Sequence, residues 1–172
     1  MKRIEYRTFD KSGWGPGPWQ DEPDKIQWPD AATGLPCMIR RNLFGIWCGY
    51  VGVPDGHPWF GVHRDDIEAA VHGGISFTAP CLTDGDEATD ICHVPDPGEP
   101  DQVWWVGFDC NHAWDFAPAM ATTMTAIPDV LRGLGQSGFR TFIFSDCEYR
   151  DLAFVEAECA DLASQAAEAA KP

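Results

Sequence analysis

The sequence predicts an α+β fold: one domain with an antiparallel sheet of about five strands, a long C-terminal helix packed on it, and an extended N-terminal arm. Three features carry this expectation. Short β-type runs bounded by turn residues fill residues 36–109, an apolar stripe at helical spacing runs from Leu152 to Ala166, and Gly and Pro crowd the stretch before residue 36.

The arm is read over residues 1–35 and the folded domain over 36–172. Residues 9–36 contain Gly13, Gly15, Pro16, Gly17, Pro18, Pro23, Pro29 and Pro36, a density of breakers that opposes regular helix or sheet. Trp14, Trp19 and Trp28 within it imply that the arm lies over the body, because free in water they would expose large aromatic area. Strands are expected at 36–41 and 44–53, joined as a hairpin through Asn42 and Gly45. Residues 64–71 read as a short helix that opens on Asp65 and Asp66 and stops at Gly73 and Gly74. A strand follows at 75–81.

Residues 82–101, rich in Pro, Gly and acidic side chains, read as a long surface loop, functional or mobile. Residues 103–109 read as a buried strand, 128–134 as a helix and 140–144 as a further strand. Ser145 and Glu148 have the spacing of a capping box. Leu152, Val155, Cys159, Leu162 and Ala166 then form one apolar face of the terminal helix.

The chain has 172 residues, with 12 Lys and Arg against 27 Asp and Glu, a formal charge of −15. That balance opposes direct nucleic-acid binding, which needs a positive surface. No apolar run approaches the roughly 20 residues of a membrane span. No signal-peptide core follows the basic N-terminus. Seven scattered cysteines, with no Cys-x-x-Cys pair, argue against a disulfide framework and a zinc ribbon, and point to a reduced, intracellular protein. Gly-rich phosphate loops, nucleophile elbows and dinucleotide fingerprints are absent from the sequence.

The chemistry-bearing residues gather at two places. His72 precedes Gly73 and Gly74, which let the backbone turn sharply or approach another group closely. At the end of the 103–109 strand, Asp109, His112 and Asp115 are spaced three and three. Two carboxylates and one imidazole, joined by His72, make a mixed N/O set suited to Zn, Mn or Fe, and such an ion would activate a water for hydrolysis. The plainer reading is a hydrogen-bonded structural Asp–His pair. His72, His112 and Cys110 are the candidate catalytic groups. Cys110 beside an imidazole would be a nucleophile; otherwise it is a small buried hydrophobe. Of Trp47, Trp59, Trp104, Trp105 and Trp114, most read as core or cover for the sheet and the rest as lining of a pocket for a flat ligand.

The runs Gly34-Leu-Pro-Cys-Met-Ile-Arg40, Trp47-Cys-Gly-Tyr-Val-Gly-Val-Pro54 with Gly56-His-Pro58, Val71-His-Gly-Gly-Ile-Ser-Phe77 and Trp104-Trp-Val-Gly-Phe-Asp-Cys-Asn-His112 resemble an uncharacterised family of bacteriophage and prophage proteins. The likeness extends to Tyr149-Arg-Asp-Leu152 and Glu158. It implies a genomic setting and no reaction. Three functions are therefore open. The first is a metal-dependent hydrolase of a nucleotide-like small molecule, its site gated by Asp84, Asp86 and Glu87. The second is an acidic anti-defence inhibitor of a host protein, and the third a virion or assembly component docked through the arm. A monomer or weak dimer is expected, since packing on the sheet consumes the helix stripe.

Overall fold

The computed structural model describes residues 1–83, 85–120 and 147–172. The expected strand 140–144, helix 128–134, Ser145 and Asp84 lie outside them. Among the described residues six strands form one antiparallel sheet: β1 (Ile4–Tyr6), β2 (Lys25–Pro29), β3 (Pro36–Arg41), β4 (Trp47–Val53), β5 (Phe77–Pro80) and β6 (Trp104–Asp109), in the order β1-β2-β3-β4-β6-β5. Helix α1 (Leu152–Ala169) crosses β3 and β4. The fold is thus α+β, with one strand more than expected.

The unexpected strands β1 and β2 come from the segment read as an arm. Its prolines spare the interior of β2: Pro23 precedes the strand, and Pro29 ends it opposite Pro36, where the β2–β3 ladder terminates. A proline costs little at the end of a ladder. Lys25, Ile26, Gln27 and Trp28 between them pair without interruption. The remainder of the segment does cover the body. Trp14 and Trp19 are buried, and Trp19 stacks on Phe116 and meets Tyr149 edge-on.

Alternation along the strands divides the core in two. Ile26, Cys37, Ile39, Val51, Val106 and Phe108 face α1, against Val155, Cys159, Leu162, Ala163 and Ala166. The stripe expected from the sequence supplies this contact, and α1 lies close: a Cβ on Gly49 would come within 2.5 Å of Phe108 and 2.8 Å of Cys159 Sγ. Met38, Tyr50 and Trp105 face the other way, toward Ile91 and Val103.

The described part of residues 82–101, expected as a long surface loop, packs on that second face. Lys25 Nζ donates to the carbonyls of Glu87 and Cys92 at 2.6 and 2.9 Å. Gln27 exchanges two hydrogen bonds with the Val94 backbone, at 3.0 and 2.9 Å. Polar residues of β2 thus hold the segment as a lid on the sheet, because buried side-chain donors and acceptors need partners. Asp86 caps its own turn at Ala88 N, and the Glu87 carboxylate takes the Tyr6 hydroxyl.

Three further expectations are revised. Only Arg64–Asp66 is helical, as a single 3-10 turn; Ile67 is extended, and Ile67, Ala69 and Val71 pack at every second position against the α1-side core. Helix α1 starts after Asp151, whose carboxylate accepts from Phe154 N at 2.9 Å, while Leu152 N donates to Glu22 of the N-terminal segment. Glu148 pairs instead with the backbone beside Asp115. Cys81 and Cys92 form a disulfide, because the antiparallel Leu82–Ile91 bridge places them side by side, Cα atoms 4.7 Å apart. Spacing along the chain cannot reveal such cross-strand proximity. Among the described residues no helix is long and apolar enough to cross a membrane.

Candidate metal centre

The β5–β6 register builds the site. Phe77 pairs with Gly107, and Ser76 N continues the ladder to Gly107 O at 2.9 Å. Continued five residues beyond the Phe77–Gly107 pair, the same register sets position 72 opposite position 112. His72 sits in the turn entering β5 and His112 in the turn leaving β6, so both imidazoles project from one end of this strand pair. Their rings meet edge to face, 5.0 Å between centroids.

Asp115 lies between them. Its Oδ2 accepts from His72 Nε2 at 2.8 Å and from His112 Nδ1 and N, each at 3.1 Å. Its Oδ1 accepts from Arg150 Nε at 2.9 Å. Two backbone bonds clamp the turn: Glu148 N to Trp114 O, 2.8 Å, and Phe116 N to Glu148 O, 2.9 Å. The Asp115 side chain is 2% exposed. Burial pushes its pKa up, but the hydrogen bonds from His72, Arg150 and the His112 backbone outweigh it and hold the carboxyl below its usual value.

The surroundings complete the electrostatics. The His72 backbone N–H donates to Glu158 of α1 at 2.6 Å, and Arg150 also binds Glu148 at 2.6 Å. The guanidinium lies 4.9 Å from the Phe154 ring centre, and Phe154 also packs against the His72 ring. Among the described residues Asp115, Glu148 and Glu158 gather here with the Arg150 guanidinium, a negative balance that suits a divalent ion. His112 remains 39% exposed, which leaves an open side.

His72, His112 and Asp115 each offer a ligand atom within 4.8 Å of the others. Two imidazoles and a carboxylate match the donor set of three-ligand zinc sites, which keep a position for water. The carboxylate would bind through Oδ2 while Arg150 holds Oδ1, the outer-shell support such ligands normally have.

Asp109, expected as a fourth ligand, is outside this group: its carboxylate accepts from Asn111 N at 3.0 Å and caps the turn. Cys110 is buried in the α1-side core, where burial raises its thiol pKa, reinforced by Asp115. Burial that favours the neutral thiol fits the packing alternative for Cys110. His57 ties the chain to α1 through Ala166 O at 2.9 Å, and His63 accepts from Asp65 N. Arg150 was missed by sequence reasoning, although it lies in the Tyr149-Arg-Asp run already singled out. Its role depends on a backbone pairing that spacing does not reveal.

No family model, curated protein or solved structure matches the chain.

Proposed function

We propose that the protein is a metal-dependent hydrolase of a nucleotide-like small molecule, with His72, His112 and Asp115 holding zinc. The convergence of His72 Nε2 and His112 Nδ1 on Asp115 Oδ2 carries this reading. Bound zinc would lower the pKa of a coordinated water toward neutrality. The chain's own residues orient the ligands: Arg150 holds Asp115 through Oδ1, and Glu158 fixes the His72 backbone.

Trp114 supports the substrate class. It lies between the two protein ligands of its turn and is 58% exposed, whereas Trp47, Trp59 and Trp105 are buried. An open indole offers a stacking face for a base, an interaction worth roughly 1–3 kcal/mol per base.

Metal analysis of the purified, chelator-treated and zinc-reloaded chain tests the proposal, followed by a hydrolysis screen of nucleotides. About one equivalent bound at this site, lost in His112→Ala and retained in Asp109→Ala, supports it. Unchanged zinc content in His112→Ala overturns it. Trp114→Ala should raise KM for the best substrate more than it lowers kcat; zinc binding with no hydrolysis across the panel would overturn the hydrolase assignment.

A further inference from the structure

At the other end of β5 a second group of ligating atoms converges. Cys81 follows the strand directly, and the hydrogen bonds Leu82 N to Ile91 O and Ile91 N to Leu82 O, 3.0 and 3.1 Å, bring Cys92 against it. His93 is the next residue. Cys81, Cys92 and His93 each offer a ligand atom within 4.8 Å of the others.

His93 supplies an independent observation. It is 7% exposed, and its Nδ1 is buried with no hydrogen-bond partner among the described residues. Its ring stands edge-on to Trp105, 5.6 Å between centroids. A buried imidazole with an unpartnered nitrogen, beside two sulfurs, is placed to act as a metal ligand. A buried, unsatisfied acceptor otherwise demands an explanation that packing does not supply.

We infer that Cys81, Cys92 and His93 form a second metal site, which takes Zn²⁺ when the Cys81–Cys92 disulfide is reduced. Two thiolates and an imidazole are a zinc donor set, with a fourth position for water. Zn–S bonds of about 2.3 Å require the sulfurs to stand about 3.8 Å apart. With Cα atoms 4.7 Å apart, side-chain rotation reaches that separation without moving the hairpin.

The exchange balances. A dithiol reductant such as dithiothreitol delivers two electrons and two protons to the S–S bond and becomes its own cyclic disulfide. Zn²⁺ then displaces both thiol protons into solvent. Oxidation of the two thiolates by a disulfide oxidant restores the bond and releases the ion. In a reducing compartment the lid over the second sheet face would be held by zinc, and elsewhere by the disulfide.

Cobalt titration of the full chain distinguishes this site from the His72–His112–Asp115 centre, since only thiolates give sulfur-to-cobalt charge-transfer absorption. The reduced, desalted chain should gain that absorption with one equivalent of Co²⁺, and Zn²⁺ should displace it. The disulfide form should show none, and His93→Ala should weaken the reduced form's affinity at least tenfold. Absence of the band in the reduced chain overturns the inference, as does its persistence in Cys81→Ser/Cys92→Ser. A measurement on the unsubstituted chain covers variants that do not fold. Zn²⁺ should slow iodoacetamide alkylation of Cys81 and Cys92 at least tenfold, read by mass spectrometry, and equal rates with and without zinc overturn the site.

Discussion

Gly73 gives His112 its place. The Gly73 backbone runs so close to the imidazole that a Cβ there would lie 1.9 Å from Cε1 and 2.0 Å from Nε2 of His112, and its φ is +70°. The turn that delivers His72 thereby forms the wall against which the second imidazole rests. Gly73→Ala combines left-handed strain with a steric clash, so it should displace the ring and weaken zinc binding at least tenfold. Gly74→Ala shares the positive φ but meets nothing within 4 Å, and calorimetric titration should find its zinc affinity close to that of the parent.

Arg150 should set the acid limit of the site. Asp115 has a lowered folded pKa, so its stabilisation is complete above the ordinary carboxylate range and is lost as pH falls through the folded value. Arg150→Ala removes one of the contacts that lower it, at a cost of about 1.5–3 kcal/mol near pH 7. Urea unfolding should show that deficit at pH 7 and a smaller one at pH 3. A deficit equal at both values would refute the assignment.

Arg41 joins the N-terminal segment to the rest of the fold. Its buried guanidinium binds Glu22, the Gly45 carbonyl and the Tyr149 hydroxyl, and lies 4.0 Å from the Trp47 ring centre. Glu22 in turn accepts from Leu152 N at the start of α1. Arg41→Met strands a largely buried carboxylate and should cost about 3–5 kcal/mol. Hydrogen exchange should show the first turn of α1 opening with it; protection there equal to the parent's would separate Arg41 from the helix start.

Lys25 adds a stability term of the same pH sign as Asp115, in an alkaline window. Burial lowers its ammonium pKa to about 8, against nearby carboxylates that raise it. Above pH 8 the folded chain sheds this proton while the unfolded chain keeps it to about 10.4, so Lys25's contribution rises with pH across that window. The full effect is up to about 3 kcal/mol. Parent and Lys25→Met, unfolded by guanidinium at pH 7.5 and 9.5, should differ in slope by a large part of that amount. Parallel pH profiles would contradict a charged lysine beneath the lid.

The sequence by itself determined the elements whose periodicity is local. The alternation in β3, β4 and β6 follows from strand geometry, and the Val155–Cys159–Leu162–Ala166 face from the helical repeat. His72, His112 and Asp115 could be nominated because imidazoles and carboxylates are the residues that do such work, and the Gly73–Gly74 pair announced a close approach. Tertiary structure decided the rest. The turns at the end of the β5–β6 pair brought His72 and His112 together on Asp115 and left Asp109 outside. Segment 25–29 became a strand because β3 offered a complete ladder beside it, a long-range gain that outweighs local breakers. Cys81 met Cys92, and the segment 87–94 became a lid, because Lys25 and Gln27 lie buried beneath it and need its carbonyls. Local pattern encodes which residues can share a face, and only the folded chain brings distant faces together.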